Sequence, residues 1–204
     1  MNPDVTRREF NLSLAGTFLL AATPALGAAM PTPAQTRGPF YPAQRPPDSD
    51  FDLTRIEGRA GRARGDVIDI VGRVLDLDGR PVERALVQIW QANEAGRYDH
   101  PRERSSALAD PDFQGFGEVA SAADGLYRFR TIKPGAYAGR TSHIHFMVLT
   151  AERPALVTQM YFAGEKLNPS DPVLRGLSEA QRRSVTVAFD SNGQGRFDIV
   201  FAGA

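Results

Sequence analysis

From Asp66 to Phe201 the sequence is cut into short runs rich in Val, Ile, Phe and Tyr, with turn chemistry between or beside them. The runs are Val67–Leu75, Ala85–Trp90, Leu126–Thr131, His143–Leu149, Leu156–Phe162, Val185–Phe189 and Gly195–Phe201. Asp78-Gly79, Asp124-Gly125 and Ser191-Asn192-Gly193 supply the residues that reversing chains need. Seven short strands punctuated in this way predict an all-β fold, a two-sheet antiparallel β-sandwich core. The 19 glycines and 15 prolines argue against a helical bundle. One short helix is expected at Ser178–Arg183, where Ser178 and Gln181 have capping-box spacing.

The 204 residues suit one domain with enough chain to bury a core. Residues 30–65, rich in Pro, Gly, Arg and Asp, predict an extended N-terminal arm, and residues 66–204 the β-sandwich. Asp99–Gly117 shows no clear period and reads as a long loop. Residues 1–29 read as an export signal instead of part of the fold. Arg7-Arg8 precedes an apolar run from Leu12 to Ala22, Pro24 breaks the run, and small residues follow to Ala29. The run is too short for a stable membrane span, so no span is expected in the mature chain. The arginine pair followed by Phe10 resembles a twin-arginine signal and predicts an exported, periplasmic protein.

Lys+Arg and Asp+Glu both number 24, so no basic excess points to nucleic acid. The absence of cysteine excludes disulfides, thiolate-bound zinc and iron–sulfur clusters. Of three histidines, two form His143-Ile144-His145 inside an apolar run. In a strand, residues i and i+2 share a face, so both imidazoles aim one way while Ile144 and Phe146 aim into the sheet interior. Such a pair is either a metal site or a surface-facing pair of hydrogen-bonded histidines. His100, the carboxylates Glu118, Asp124 and Glu152, and the tyrosines Tyr98 and Tyr137 are the groups that could complete a ligand set. Tyr127, alternating with Phe129, reads as packing.

These stretches, taken in order, resemble the intradiol ring-cleaving dioxygenases, most closely the protocatechuate 3,4-dioxygenase branch. The matching pieces are Thr32–Pro42, Ile89–His100, Phe113–Gly117, Thr131–Tyr137, Arg140–Phe146 and Thr158–Phe162. Each alone is weak; together they span nearly all of the chain after the signal. The resemblance implies a β-sandwich catalytic domain with one Fe(III) per chain, held by Tyr98, Tyr137, His143 and His145. It implies that Tyr137 is the ligand displaced by substrate and Tyr98 the one retained. Arg140 and Gln159 would act on the substrate, with Trp90 and the Gly38-Pro39-Phe40-Tyr41 arm lining the site. The sequence departs from the family between Tyr137 and His143. Only Ala138 and Gly139 precede Arg140, where relatives often carry Pro, a bulky side chain and a longer insertion. The shorter wall implies a more open site, with room for a homo-oligomer or a second subunit to complete it.

The activity implied is O2-dependent cleavage of a catechol-type ring between its hydroxyl-bearing carbons, giving a cis,cis-muconate-type diacid. The ligand types suit it. A trivalent cation favours the tyrosinate form, and Fe(III) with two tyrosinates and a hydroxide sums to zero charge. A neutral cluster is buried at far lower cost than an isolated ion. A catechol dianion replacing one tyrosinate and the hydroxide keeps that sum, and the departing anions can take its protons. Two other readings fit the same β-rich chain: a prealbumin-like binding module without catalysis, carried by Asp124–Phe129 and Pro134–Tyr137, and a His-metal hydrolase. The first does not require Tyr98, Arg140, His143 and His145 together. The second needs a carboxylate beside the histidine pair.

Overall fold

In the computed structural model, described over residues 30–151 and 154–201, two sheets face each other across one apolar core. The first sheet orders β4(Leu126–Ile132), β1(Val67–Asp76) and β8(Gln194–Arg196), with β9(Ile199–Phe201) also on β1. The second orders β3(Phe116–Ala120), β2(Leu86–Trp90), β5(His143–Leu149), β6(Leu156–Phe162) and β7(Thr186–Val187). Strand β1 shows why one face turns inward. Ile68, Ile70 and Val74 are buried and alternate with partly exposed neighbours, the period-2 pattern of a half-buried strand. Across from them Ile89, Ile144, Phe146, Val148 and Met160 point inward from the second sheet.

The expected sandwich is present, with one correction. It is not purely antiparallel: β8 and β9 run parallel to β1, and β7 runs parallel to β6. The run expected as one strand from Gly195 to Phe201 is two, because Asp198 interrupts it. Its Oδ1 accepts from the Arg73 backbone N–H at 2.9 Å, taking the place of a backbone partner. Val185–Phe189 shrinks to β7 because α2(Glu179–Val185) runs up to it. That helix starts as expected: Ser178 Oγ accepts from Gln181 N, and the Gln181 side chain reaches back to the Ser178 N–H. The long loop ends earlier than expected, since Phe116 and Gly117 begin β3, which pairs in register with β2. A short helix, α1(Pro172–Arg175), was also not expected. The export-signal residues 1–29 and the candidate Glu152 lie outside the described residues.

The arm crosses the outer face of the second sheet. Gln35 N donates to Val157 O, and Gln35 Nε2 donates to Thr158 Oγ1 at 3.1 Å. Farther along, Leu53 enters the main core and is fully buried. The arm, the long loop and this outer face enclose a second apolar cluster of Trp90, Ala92, Tyr98, Phe116 and Met147, with Phe40, Tyr41 and Tyr137 packed against it. The site forms at the edge of this second cluster. No helix among the described residues is long and apolar enough to cross a membrane.

Candidate metal centre

Register builds one side of the site. Trp90 on β2 lies opposite His145 on β5, and His145 lies opposite Gln159 on β6. Directly opposed residues share a face, so the three side chains stand in a row on the outer face. The Trp90 indole stacks on the His145 imidazole, centroids 4.8 Å apart and 9° from parallel. Two residues back, His143 lies opposite Tyr161. The two imidazoles share that face, 4.9 Å between centroids, as the i, i+2 spacing requires.

Loops bring in the phenols. Tyr98 sits after β2 and is 4% exposed. Its loop lies directly on the segment before Tyr137: a Cβ on Gly96, at φ +78°, would stand 2.4 Å from Ala136 O. Only glycine permits that approach. Tyr137 and Arg140 form an antiparallel bridge with exchanged backbone hydrogen bonds. Ala138 at φ 44° and Gly139 at φ 78° make the connection a two-residue hairpin turn with both central residues left-handed. That tight turn replaces the longer wall that the resemblance leads one to expect. It ties the position of Arg140 to that of Tyr137.

The four groups meet. Tyr137 Oη is 3.4 Å from Tyr98 Oη and 3.4 Å from His143 Nε2. His143 Nδ1–H donates to Thr141 O at 2.6 Å, which leaves Nε2 as the free lone pair facing the phenols. Among the described residues, His145 Nδ1 and Trp90 Nε1 are buried with no hydrogen-bond partner. Burial lowers His143 to about 4, and the Arg140 charge adds to this. Burial, then His143, then Arg140 hold His145 well below the usual imidazole value. Both imidazoles are therefore neutral, as metal ligands must be. Burial raises the Tyr98 phenol well above its ordinary value, with Tyr137 adding, and burial raises Tyr137 too. Only a strong positive charge placed among them can ionise these phenols.

This donor set fits a hard, highly charged cation. Among the described residues no cluster of three His, Cys, Asp or Glu could hold a metal, and tyrosine oxygens are the donors that face the histidine pair. Of the carboxylates that sequence reasoning placed near the pair, the two described ones are occupied elsewhere. Glu118 pairs with Arg45 and accepts from Gln88, and Asp124 pairs with Arg73 on the first sheet's side. His100 lies outside the quartet, edge-on to Phe40 at 5.7 Å. These placements leave neither described candidate carboxylate beside the pair for the His-metal hydrolase reading.

Arg140 reaches the site with its side chain 14% exposed. Its Nη2 donates to Gln159 Oε1 at 2.6 Å, while Nε donates to Asp171 Oδ2 at 2.8 Å. Burial works against its charge, but Asp171 more than offsets this and keeps it protonated. Gln159 is held further by Tyr161, whose Oη donates at 3.0 Å, and by donation of its own Nε2 to Thr36 O at 2.9 Å. In the arm, Gly38 lies against His145, since a Cβ there would be 3.7 Å from Nε2. Pro39 is exposed, Phe40 stacks on Tyr98 at 4.7 Å, and Tyr41 braces Trp90 edge-on while donating to Gln88 Oε1. Sequence reasoning placed Phe40 in the arm at the site mouth but missed Gln35, Tyr161 and Asp171. Gln35 and Tyr161 lay inside matched stretches. Asp171 carried only the signal of a helix start, an acidic residue before Pro172. A cavity of about 780 Å³ opens beside the quartet between the arm and the long loop, and Tyr98 is the only one of the four ligand candidates that lines it.

A protein-family model described as "Dioxygenase" matches residues 36–203. The chain is 42% identical over 180 residues to the protocatechuate 3,4-dioxygenase beta chain of Burkholderia cepacia, covering 81% of this chain and 77% of that one. It is 34% identical over 188 residues to the alpha chain named for the same enzyme in that organism, covering 84% and 92%. Among solved structures it resembles the dioxygenase domain of a dioxygenase–carbohydrate-binding protein fusion from Streptomyces sp. SirexAA-E. The TM-score is 0.67 at 31% identity, over 86% of this chain and 100% of that one.

Proposed function

The chain belongs to the intradiol ring-cleaving dioxygenase family, and from that premise we propose that it cleaves a catechol-type ring between its two hydroxyl-bearing carbons with O2, giving a cis,cis-muconate-type diacid. The observation that carries this reading is the meeting of two phenols and two neutral imidazoles in one cluster, with no carboxylate among them. Tyr98, Tyr137, His143 and His145 would hold one Fe(III). When bound, that ion supplies the charge that ionises the phenols and the catechol and makes the ring reactive toward O2.

The remaining work falls to the protein. Tyr137 is the more accessible phenol, so it is the one that leaves as substrate enters and accepts a catechol proton at Oη. Tyr98, under the Phe40 ring, stays in place. Arg140 presents a fixed positive charge to the anionic ring, and Gln159 aligns it through Oε1. Phe40 and the arm exclude water, and Trp90 holds the His145 ring flat. The short Ala138-Gly139 turn leaves the wall beside Tyr137 low.

The relatives named as alpha and beta chains make a homo-oligomer or a second subunit part of this proposal. Export of residues 30–204 to the periplasm through the arginine pair in residues 1–29 is a further part. Its test is the Arg7→Lys, Arg8→Lys double variant, which should leave precursor in the cytoplasm. The test of the activity is elemental analysis with a visible spectrum. The purified protein should carry about one iron per chain, coloured by tyrosinate-to-iron charge transfer, and the band should shift on anaerobic addition of a catechol. An active, colourless zinc protein would contradict the reading.

A further inference from the structure

Asp171 lies outside every stretch that carries the family resemblance, yet its carboxylate is completely buried. It accepts four hydrogen bonds in two directions. Oδ1 takes Val173 N at 3.0 Å and Leu174 N at 2.9 Å, capping α1. Oδ2 faces the site, taking Arg140 Nε at 2.8 Å and Thr141 N at 2.9 Å. Both partners lead onward. Arg140 Nη2 reaches Gln159 Oε1, and Thr141 O accepts the Nδ1–H of His143. Thr141 is braced a second time, its Oγ1 donating to Asn168 Oδ1 at 2.8 Å.

A buried ion pair adds little net stability over an apolar substitute of the same shape. Its distinct effect here is geometric. An arginine side chain is long and loses much rotamer freedom when held. With Nε fixed by one buried oxygen, the other arm can point only toward Gln159. The same oxygen holds the backbone N–H of Thr141, and the carbonyl of that residue selects which imidazole nitrogen of His143 faces the phenols. We propose that Asp171 is a positioning residue for ring cleavage, setting the guanidinium of Arg140 and, through Thr141, the tautomer and tilt of His143.

This inference rests on the proposed role of Arg140, so the test separates the two. Four proteins are compared as iron-loaded full chains: wild type, Arg140→Ala, Asp171→Ser and the double variant. Serine still caps α1 but cannot reach Arg140. Asp171→Ser should keep about one iron per chain while its resting charge-transfer band moves. Its turnover of a catechol should fall about 10–100-fold, the range found when an outer partner of a site is removed, and mostly in kcat. In the Arg140→Ala background the same change should cost less than in wild type, because the part acting through Arg140 is already gone and only the part acting through His143 remains. If Asp171→Ser does not fold, the isosteric Asp171→Asn is read in its place. Wild-type turnover in Arg140→Ala would remove the Arg140 role and the inference with it. A slow Arg140→Ala beside a wild-type-like Asp171→Ser would overturn the inference alone. So would equal slowing by Asp171→Ser in both backgrounds, which would show that Asp171 does not act through Arg140.

Discussion

The two sheets of this molecule are built by opposite rules. In the first, β1 alternates buried and partly exposed residues, and its outward side chains meet water. In the second, six successive residues of β5 are buried, from His143 to Val148. Its inward face is ordinary apolar packing. Its outward face carries two imidazoles that burial keeps uncharged, under an arm with little regular structure. The first sheet shows what the chain needs in order to fold. The second shows what it adds beyond folding: polar groups taken out of water at a cost that only a bound partner offsets.

The sharpest way to break this contrast is to remove one residue from each sheet. His145→Ala should leave a folded, colourless protein whose activity falls to background, because the proposed ligand set loses a member while the core loses nothing. Phe129→Ala, on β4 with its ring fully buried, should do the reverse. It should cost about 3–5 kcal/mol of stability, while the folded fraction keeps its colour and its turnover. Denaturant titration and specific activity per iron read the two effects separately. If Phe129→Ala altered the colour, or His145→Ala unfolded the protein, the division of labour between the sheets would be wrong.

How much of this was legible beforehand follows from the same contrast. Runs rich in Val, Ile, Phe and Tyr located β1, β5 and β6 closely, since local chemistry decides them. Strand β3 was missed because it holds Gly117 and Glu118, and its pairing with β2 forms it more than its propensity does. The direction of the histidine pair was readable from i, i+2 geometry. The row Trp90, His145, Gln159 was not, because register across three strands is a tertiary fact. The tyrosines were placed through family likeness, not from spacing. Asp171 was invisible as a site residue, since its bond to Arg140 joins positions 31 apart with β5 and β6 between them.

A smaller effect sharpens the contrast through pH. The metal-free protein holds His143 at about 4, while the unfolded chain titrates near the ordinary imidazole value, about 6.5. The folded form therefore binds fewer protons between these values. The stability it draws from an uncharged His143 is fully present above about pH 6.5 and is lost as pH falls toward 4. Between pH 6.5 and 5 that loss is about 2 kcal/mol, and the shift of His145 acts in the same direction. The described first sheet holds no histidine and contributes nothing of this kind. Urea unfolding of the iron-stripped protein at several pH values should show the slope, and His143→Gln should flatten it. An equal slope in that variant would place the titrating group elsewhere.

The smallest effect compares two carboxylates that look alike on paper. Asp69, on β1, bonds the guanidiniums of Arg128 at 2.9 Å and Arg130 at 3.2 Å. Asp171 bonds one guanidinium at 2.8 Å. Counting contacts alone would rank Asp69 higher. Water reverses the ranking. The arginines around Asp69 are 54% and 39% exposed, so solvent screens both pairs and competes for every donor. Exposed pairs of this kind are worth about 0–1 kcal/mol, and holding two long side chains in place offsets part of that. Asp171 and Arg140 have no such competitor. Asp69→Asn should therefore shift the unfolding free energy by less than about 1 kcal/mol, less still at high salt, and leave colour, kcat and KM unchanged. The measurement is denaturant unfolding at two ionic strengths beside steady-state kinetics. A kinetic change in Asp69→Asn would show that the first sheet's surface charges reach the site, and that burial alone does not separate the two carboxylates.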